Sequence, residues 1–228
     1  LIKGGRETLA TIFQKSDYQT TVIGKWHLGL GGPKGPDWNG EIKPGPLEIG
    51  FDEAFLIPAT GDRVPTVFVK DRNVVNLDPK DPIEVSYKGK IGNWPTGKEN
   101  PEQLTTMYSH GHDQTITNGI SRIGYMTGGK SALWRDEDIS DILVGNAISF
   151  MEENSQRSFF MYFSTHDIHV PRIAHERWQG KSGFGPRGDV LLQLDEAVGE
   201  LLNKIKDLGI QENTIIIFTS DNGPVLDD

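Results

Sequence analysis

The sequence predicts an α/β fold with a mostly parallel central sheet flanked by helices. Three observations carry that expectation. Residues 20–23, 159–163 and 214–219 are short apolar runs rich in β-branched or aromatic residues, as in strands buried inside a sheet. A stretch with helical spacing precedes each of the last two of these runs, giving the order helix, strand, helix, strand. Each run is followed at once by a polar cluster, and in open α/β sheets ligands gather beyond the carboxyl ends of the strands.

Taken in order, Leu9, Ile12 and Phe13 fall at helical spacing, so residues 7–15 form a short first helix. Residues 20–23 make the first strand. From Gly31 to about Gly50, glycine and proline break every periodicity, which predicts a long surface excursion. Residues 64–69 and 74–77 suit a small hairpin around Asp71-Arg72-Asn73, and residues 78–130 show no regular pattern. Ile139, Ile142, Leu143, Ala147, Phe150 and Met151 form one helical stripe. The acidic Asp136-Glu137-Asp138 ahead of it suits a helix N-terminus. After the aromatic run 159–163, which reads as a strand covered on both faces, comes a second helix. It carries Val190, Leu191, Leu194, Val198, Leu201, Leu202, Ile205 and Leu208, with Gly209 at the position of a C-terminal cap. Residues 214–219 are the next expected strand.

Composition narrows the function. With 36% hydrophobic and 24% charged residues among 228, the chain can bury a core and is not of disordered type. Its net charge of −9 argues against nucleic acid or an anionic membrane as a bulk partner, since both call for a basic face. No apolar run approaches the roughly 20 residues of a membrane span. The chain has no cysteine, so disulfides and zinc–thiolate sites are ruled out within it. The sequence opens at Leu1 without Met or the charged-then-apolar pattern of a signal peptide and closes at Asp227-Asp228 just beyond a turn, and the expectation is an internal piece of a larger protein, incomplete at both ends.

Three clusters carry the chemistry. In Gly24-Lys25-Trp26-His27-Leu28-Gly29, Lys25 has the charge to hold a tetra-oxo anion, and His27 can donate to it or exchange a proton. The same residues also suit a plain turn in which Trp26 packs and Lys25 is solvated. In Ser164-Thr165-His166-Asp167-Ile168-His169-Val170-Pro171, the histidines sit on an irregular loop, because Pro171 holds Val170 extended. They suit a metal site shared with Asp167, acid–base work on a substrate oxygen, or simple surface hydrogen bonding. In Thr219-Ser220-Asp221-Asn222-Gly223-Pro224, a carboxylate beside a carboxamide offers hard oxygen ligands, although the same residues also spell a turn.

Together, in this order, the clusters resemble the type I sulfatases of the alkaline phosphatase superfamily. Gly24-Lys25-Trp26-His27-Leu28-Gly29 is similar to their G-K-W-H-L-G signature, Phe160-Met161-Tyr162-Phe163 leading to His169 and Pro171 looks like their strand and His-x-P segment, and Ile217-Phe218-Thr219-Ser220-Asp221-Asn222-Gly223-Pro224 is similar to their metal-binding strand end. The resemblance spans Thr8 to Pro224 and implies that residues 1–228 are part of a catalytic domain, with 31–130 a loop-rich excursion inserted between sheet elements. It implies sulfuric ester hydrolysis on a sulfated carbohydrate or aryl sulfate. Lys25 would contact sulfate and nucleophile, His27 would accept a proton as sulfate is expelled, and His169 would protonate the leaving alcohol. Asp221 and Asn222 would ligate calcium, with magnesium as the alternative, and Arg172 would help to bind substrate. Arg63, His110, His112 and Asp113 are further polar candidates for recognising the leaving group.

The departures from that pattern are specific. No C-x-P-S-R or S-x-P-S-R segment, whose first residue becomes formylglycine, occurs in the chain. The paired Asp-Asp near the family's N-terminus is absent too; Asp227-Asp228 lies after the Asp-Asn motif and is not that pair. The expectation is therefore formylglycine on a residue outside this chain, a formylglycine-generating or anaerobic maturation enzyme as partner, and a periplasmic or secreted protein. Residues 1–228 alone are expected to be inactive. Two rivals remain: a phosphomonoesterase or phosphonate hydrolase of the same superfamily, and a non-catalytic binder of sulfated glycans.

Overall fold

A computed structural model describes residues 2–223. In chain order its elements are helix α1 (Leu9–Lys15), strand β1 (Gln19–Lys25), β2 (Glu53–Ile57), β3 (Val69–Lys70), β4 (Asn73–Val74), β5 (Glu84–Ser86), β6 (Ile116–Thr117), β7 (Ile120–Ser121), β8 (Tyr125–Thr127), helix α2 (Ile139–Asn154), β9 (Phe159–Ser164) and helix α3 (Gly185–Asp207). The main sheet runs β4-β3-β2-β1-β9. Strands β2, β1 and β9 are parallel, and β3 and β4 fold back antiparallel on the outer side of β2. The mixed α/β fold with a mostly parallel sheet is the architecture the sequence predicts.

Strand β1 is central because Thr20, Thr21, Val22 and Ile23 are buried on both sides. Alternation along the strands then divides the core. Val22, Leu56 and Val69 face one layer with Ala10 of α1, Trp26 and Phe51. Ile23 and Ile57 face the other, where Ile139, Leu143, Ala147 and Phe150 of α2 cover the sheet. Helix α3 packs against α2 and ends where expected, at Gly209 with φ +69°.

Register brings the carboxyl ends of the parallel strands together. Lys25 pairs with Ile57 across β1 and β2, and Gly24 pairs with Ser164 across β1 and β9. The loops after these three strands leave the sheet along one edge, and that edge carries the site.

Several expectations are corrected. Strand β2 was not foreseen; it lies within the span 31–130, which also holds β3 to β8. The hairpin around Asp71-Arg72-Asn73 exists, but its arms shrink to two residues each. Residues 63–67 turn away to other partners, since Val64 N–H donates to Ile123 O and Trp134 N–H to Thr66 O. Strand β9 has apolar side chains in both layers, yet Tyr162 is exposed and no strand pairs on its outer side among the described residues. Residues 214–219 are not a strand. Among the described residues nothing pairs with them, and Ile215 and Ile217 are 91% and 82% exposed. A strand needs a hydrogen-bonded neighbour, and apolar β-branched composition cannot replace one.

Candidate active site

The turn after β1 is anchored by Trp26, so that Lys25 and His27 remain at the edge. Trp26 is buried against Phe51, its indole N–H donates to Gly29 O at 2.9 Å, and its backbone N–H donates to Ile57 O. Gly24 sits at φ +112°, where a Cβ would lie 1.8 Å from Ser164 O, so only glycine lets β1 approach β9 there. His27 adopts φ +48° and donates its backbone N–H to Pro58 O at 3.3 Å. The packing reading of this turn holds for Trp26, while Lys25 is placed elsewhere: its Nζ stands 3.5 Å from Asp221 Oδ2.

The turn after β2 supplies a pair that sequence reasoning only half identified. Thr60 Oγ1 donates to Asp62 Oδ1, and His112 Nε2 lies 3.5 Å from Asp62 Oδ2. Asp62 is 4% exposed. Its neighbour Arg63 keeps a buried Nε with no hydrogen-bond partner, a donor suited to an anion. Asp62 was missed because β2 went unrecognised; the rule of ligands at strand ends would have singled out Thr60-Gly61-Asp62-Arg63.

Behind this turn lies a buried clamp. Arg122, fully buried, makes a two-pronged ion pair with Asp136 (2.8 and 2.7 Å) and donates to the Gly61 carbonyl and to Thr117. Ser121 Oγ donates to His112 O, so the same strand pair also holds the His112 loop.

The loop after β9 carries the third group. His169 Nδ1 is 2.7 Å from Val170 O, an arrangement in which the ring nitrogen must donate. Nε2 is thereby left for a substrate, as an acceptor when the ring is neutral and as a donor when it is charged. His166 is turned inward against Gly61, where a Cβ on the glycine would come within 2.4 Å of its Nε2. Its Nδ1 is buried without a hydrogen-bond partner. Asp167 faces α3, with Gln193 Nε2 donating to its carboxylate at 3.3 Å.

Electrostatics follow from this crowding. Burial pushes the His27 imidazole below its usual pKa, with the positive charges of Arg63 and Lys25 adding to the effect. Burial likewise lowers His112, against the opposing pull of Asp62. His166 is pushed down to about 4 by burial, and burial raises Asp167 to about 6 despite its hydrogen bonds. At neutral pH, His27 is therefore uncharged and able to accept a proton.

The remaining candidates divide. Arg172 and His112 line a cleft of about 410 Å³ beside the cluster. His110 is exposed on the loop leading to it, and Asp113 contributes its backbone O to Lys98 N–H; neither joins the cluster. Asp221 is 70% exposed in its side chain, and Asn222 donates its amide to Gly223 O. Among the described residues no group of three His, Cys, Asp or Glu side chains could hold a metal ion. Two oxygen donors do not complete the six to eight of a calcium shell, so these two residues alone do not make a site for the ion.

A family model described as "Sulfatase" matches residues 2–228. The chain is 57% identical over 221 residues to an N-acetylgalactosamine-6-O-sulfatase of Bacteroides thetaiotaomicron, covering 97% of this chain and 43% of that protein. It is 31% identical over 218 residues to bovine arylsulfatase A, covering 95% and 35%. A solved Bacteroides thetaiotaomicron sulfatase structure, from work on the metabolism of multiple glycosaminoglycans, superposes with a TM-score of 0.98 at 56% identity, covering all of this chain and 47% of the other. The chain thus spans less than half the length of these relatives.

Proposed function

The chain belongs to the sulfatase family, and we propose on that premise that the protein carrying it hydrolyses sulfate esters of a sulfated carbohydrate. The observation that carries this reading is the meeting of Lys25, His27 and His169 at the carboxyl ends of two neighbouring parallel strands, beside the buried Arg63 donor. The 57% identity to an N-acetylgalactosamine-6-O-sulfatase makes a 6-O-sulfated amino sugar the first substrate to assay.

The chemistry of these residues fits sulfate transfer. Attack at sulfur gathers charge on the equatorial oxygens and on the departing oxygen. Lys25 and Arg63 stabilise the former where it develops. His169, oriented by the bond from Nδ1 to Val170 O, presents Nε2 to the departing oxygen, and a proton given from there as the S–O bond breaks lets the alcohol leave neutral. His27, uncharged at neutral pH, takes up a proton when sulfate is later expelled. The nucleophilic oxygen would be supplied by a formylglycine on a residue outside residues 1–228, which a maturation enzyme would install. Asp221 and Asn222 are the residues of this chain that would hold a calcium or magnesium ion, which would supply positive charge at the sulfate oxygens; two oxygens by themselves are not a complete shell. Family membership favours export to the periplasm or the medium; among the described residues no helix is long and apolar enough to cross a membrane.

The test uses the full-length, matured protein. Sulfate release from 6-O-sulfo-N-acetylgalactosamine is expected, with kcat/KM reduced about 100-fold or more in each of Lys25→Ala, His27→Ala and His169→Ala. Release of phosphate from the matching phosphate ester, with none of sulfate, would replace this reading by a phosphatase.

A further inference from the structure

Among the described residues, and leaving aside the run 215–218, the two large apolar side chains most open to solvent are Phe184, 86% exposed, and Met107, 78% exposed. They come from separate segments, Met107 from the loop ahead of β6 and Phe184 from the turn ahead of α3, yet both line the cleft of about 410 Å³. That cleft is continuous with the reacting groups. Asp62 and His112 line it too, and so do Val170 and Pro171, which follow directly on His169. What fills the cleft therefore lies on the side of the leaving group, where His169 presents its Nε2.

Neither side chain is exposed for want of a fixed backbone. The buried Asp189 carboxylate of α3 accepts the N–H of Gly180 at 2.8 Å and of Ser182 at 3.0 Å, and Ser182 Oγ accepts the Phe184 N–H at 3.0 Å. Gly188 lets α3 come up tightly against this turn, since a Cβ there would lie 2.4 Å from Ser182 Oγ. The Met107 loop is fastened at both ends to the β6–β7 pair: Thr105 N–H donates to Gly119 O at 2.9 Å, and Ser121 Oγ donates to His112 O. Two pinned loops that each hold an apolar side chain out at one cleft are built for a ligand, because isolated burial would otherwise be the lower-energy choice.

The chemistry of that ligand follows from the lining. A pyranose ring has a face made of C–H bonds, which packs on an aromatic ring or a thioether while its hydroxyls stay in water. The cleft volume lies within the roughly 300–1,000 Å³ of small-molecule sites and leaves room beyond a single sulfate group.

We propose that Met107 and Phe184 form a subsite that holds a second sugar ring by its apolar face, next to the sulfated one, so that the protein prefers a sulfated oligosaccharide to the monosaccharide. The proposal rests on the sulfatase reading, which puts the scissile sulfate beside His169.

The experiment uses the full-length, matured protein and three substrates. One is 6-O-sulfo-N-acetylgalactosamine; the other two add a neutral hexose to it, at the anomeric carbon or at a ring hydroxyl. A neutral hexose keeps charge out of the comparison. The kcat/KM of at least one disaccharide should exceed that of the monosaccharide about tenfold, the scale of burying one apolar side chain. The better disaccharide tells on which side the second ring lies. Phe184→Ala and Met107→Ala should each bring the disaccharide-to-monosaccharide ratio towards one, mainly through KM. Phe184→Trp keeps an aromatic face and should keep the ratio, whereas Phe184→Leu should lose part of it.

Calorimetric binding of the same sugars separates the two ideas. Sulfate release at equal kcat/KM for all three substrates overturns the subsite and leaves the sulfatase reading standing. Disaccharide binding that is weakened by Phe184→Leu, without any sulfate release, overturns the sulfatase reading and leaves the subsite. A ratio unchanged in the Phe184 and Met107 variants overturns the subsite, and a lowered melting temperature alongside it would assign both side chains to packing against the rest of the protein.

Discussion

His27 and His166 show how one residue type takes opposite parts within one cluster. Both are held below the ordinary imidazole pKa, mainly by burial, but His27 faces the site while His166 is shut in against Gly61. For His27 the consequence is kinetic. An uncharged imidazole persists somewhat below the usual pKa of 6.5, so the acid limb of kcat/KM should lie below that value. Arg63→Ala removes one of the charges that lower it and should move the limb to higher pH; an unmoved limb would detach Arg63 from His27. For His166 the consequence is stability. Its pKa is about 4 in the folded state against 6.5 in the unfolded chain, so below pH 6.5 the unfolded state binds more protons. That contribution is intact above 6.5 and is lost as pH falls from 6.5 towards 4. Asp167, raised to about 6, works in the opposite direction over nearly the same range, so the parent's own profile blends the two. The clean measurement is a difference: His166→Gln should gain in unfolding midpoint relative to the parent as pH falls from 6.5 to 4, and a constant gap would refute the assignment.

At the scale of elements, two places carry the site's geometry. The first is the crossing of β1 and β9 at Gly24. Gly24→Ala would put a Cβ 1.8 Å from Ser164 O at a positive φ, so about 3 kcal/mol or more of stability should be lost. Thermal unfolding checks this, and a near-parental midpoint would show that the strands can part there without cost. The second is the Arg122–Asp136 clamp, which joins the turn after β2 to the β6–β7 pair. Arg122→Ala leaves a buried carboxylate without its partner and should cost about 3–5 kcal/mol in denaturant unfolding. Replacing both partners with apolar residues should recover part of that loss; no recovery would mean that the bonds to Gly61 and Thr117 matter more than the ion pair.

For the whole molecule, the outer side of the sheet dominates. Strand β9 has no partner on one side among the described residues, and Ile215, Ile217 and Phe218 stand largely exposed. An open strand edge with nearby apolar β-branched residues invites pairing between chains. Residues 1–228 by themselves should therefore self-associate with rising concentration in sedimentation experiments, and Ile215→Lys combined with Ile217→Lys should reduce it. A monomer at all concentrations would contradict this. The same chain, supplied with calcium and an aryl sulfate, should show no turnover, because it contains no C/S-x-P-S-R segment. Metal-dependent multiple turnover would reveal a nucleophile within it.

By itself, the sequence determined what local chemistry dictates: the long helices from their stripes, Gly209 as a cap, β1 and β9 from their apolar runs, and the placing of Lys25, His27 and His169 at or just beyond the ends of those two strands. These signals lie within a few neighbouring residues, where periodicity and spacing act. Only the tertiary structure decided the rest. Strand β2 has a brief apolar run between irregular segments, and it became a strand because β1 offered a parallel partner in register. Residues 214–219 have a stronger strand composition and formed none, having no neighbour to pair with among the described residues. Asp62 and Arg122 matter through contacts dozens of residues away, as do Met107 and Phe184 through a shared cleft. Pairing and burial are properties of what packs alongside, and a local pattern cannot carry them.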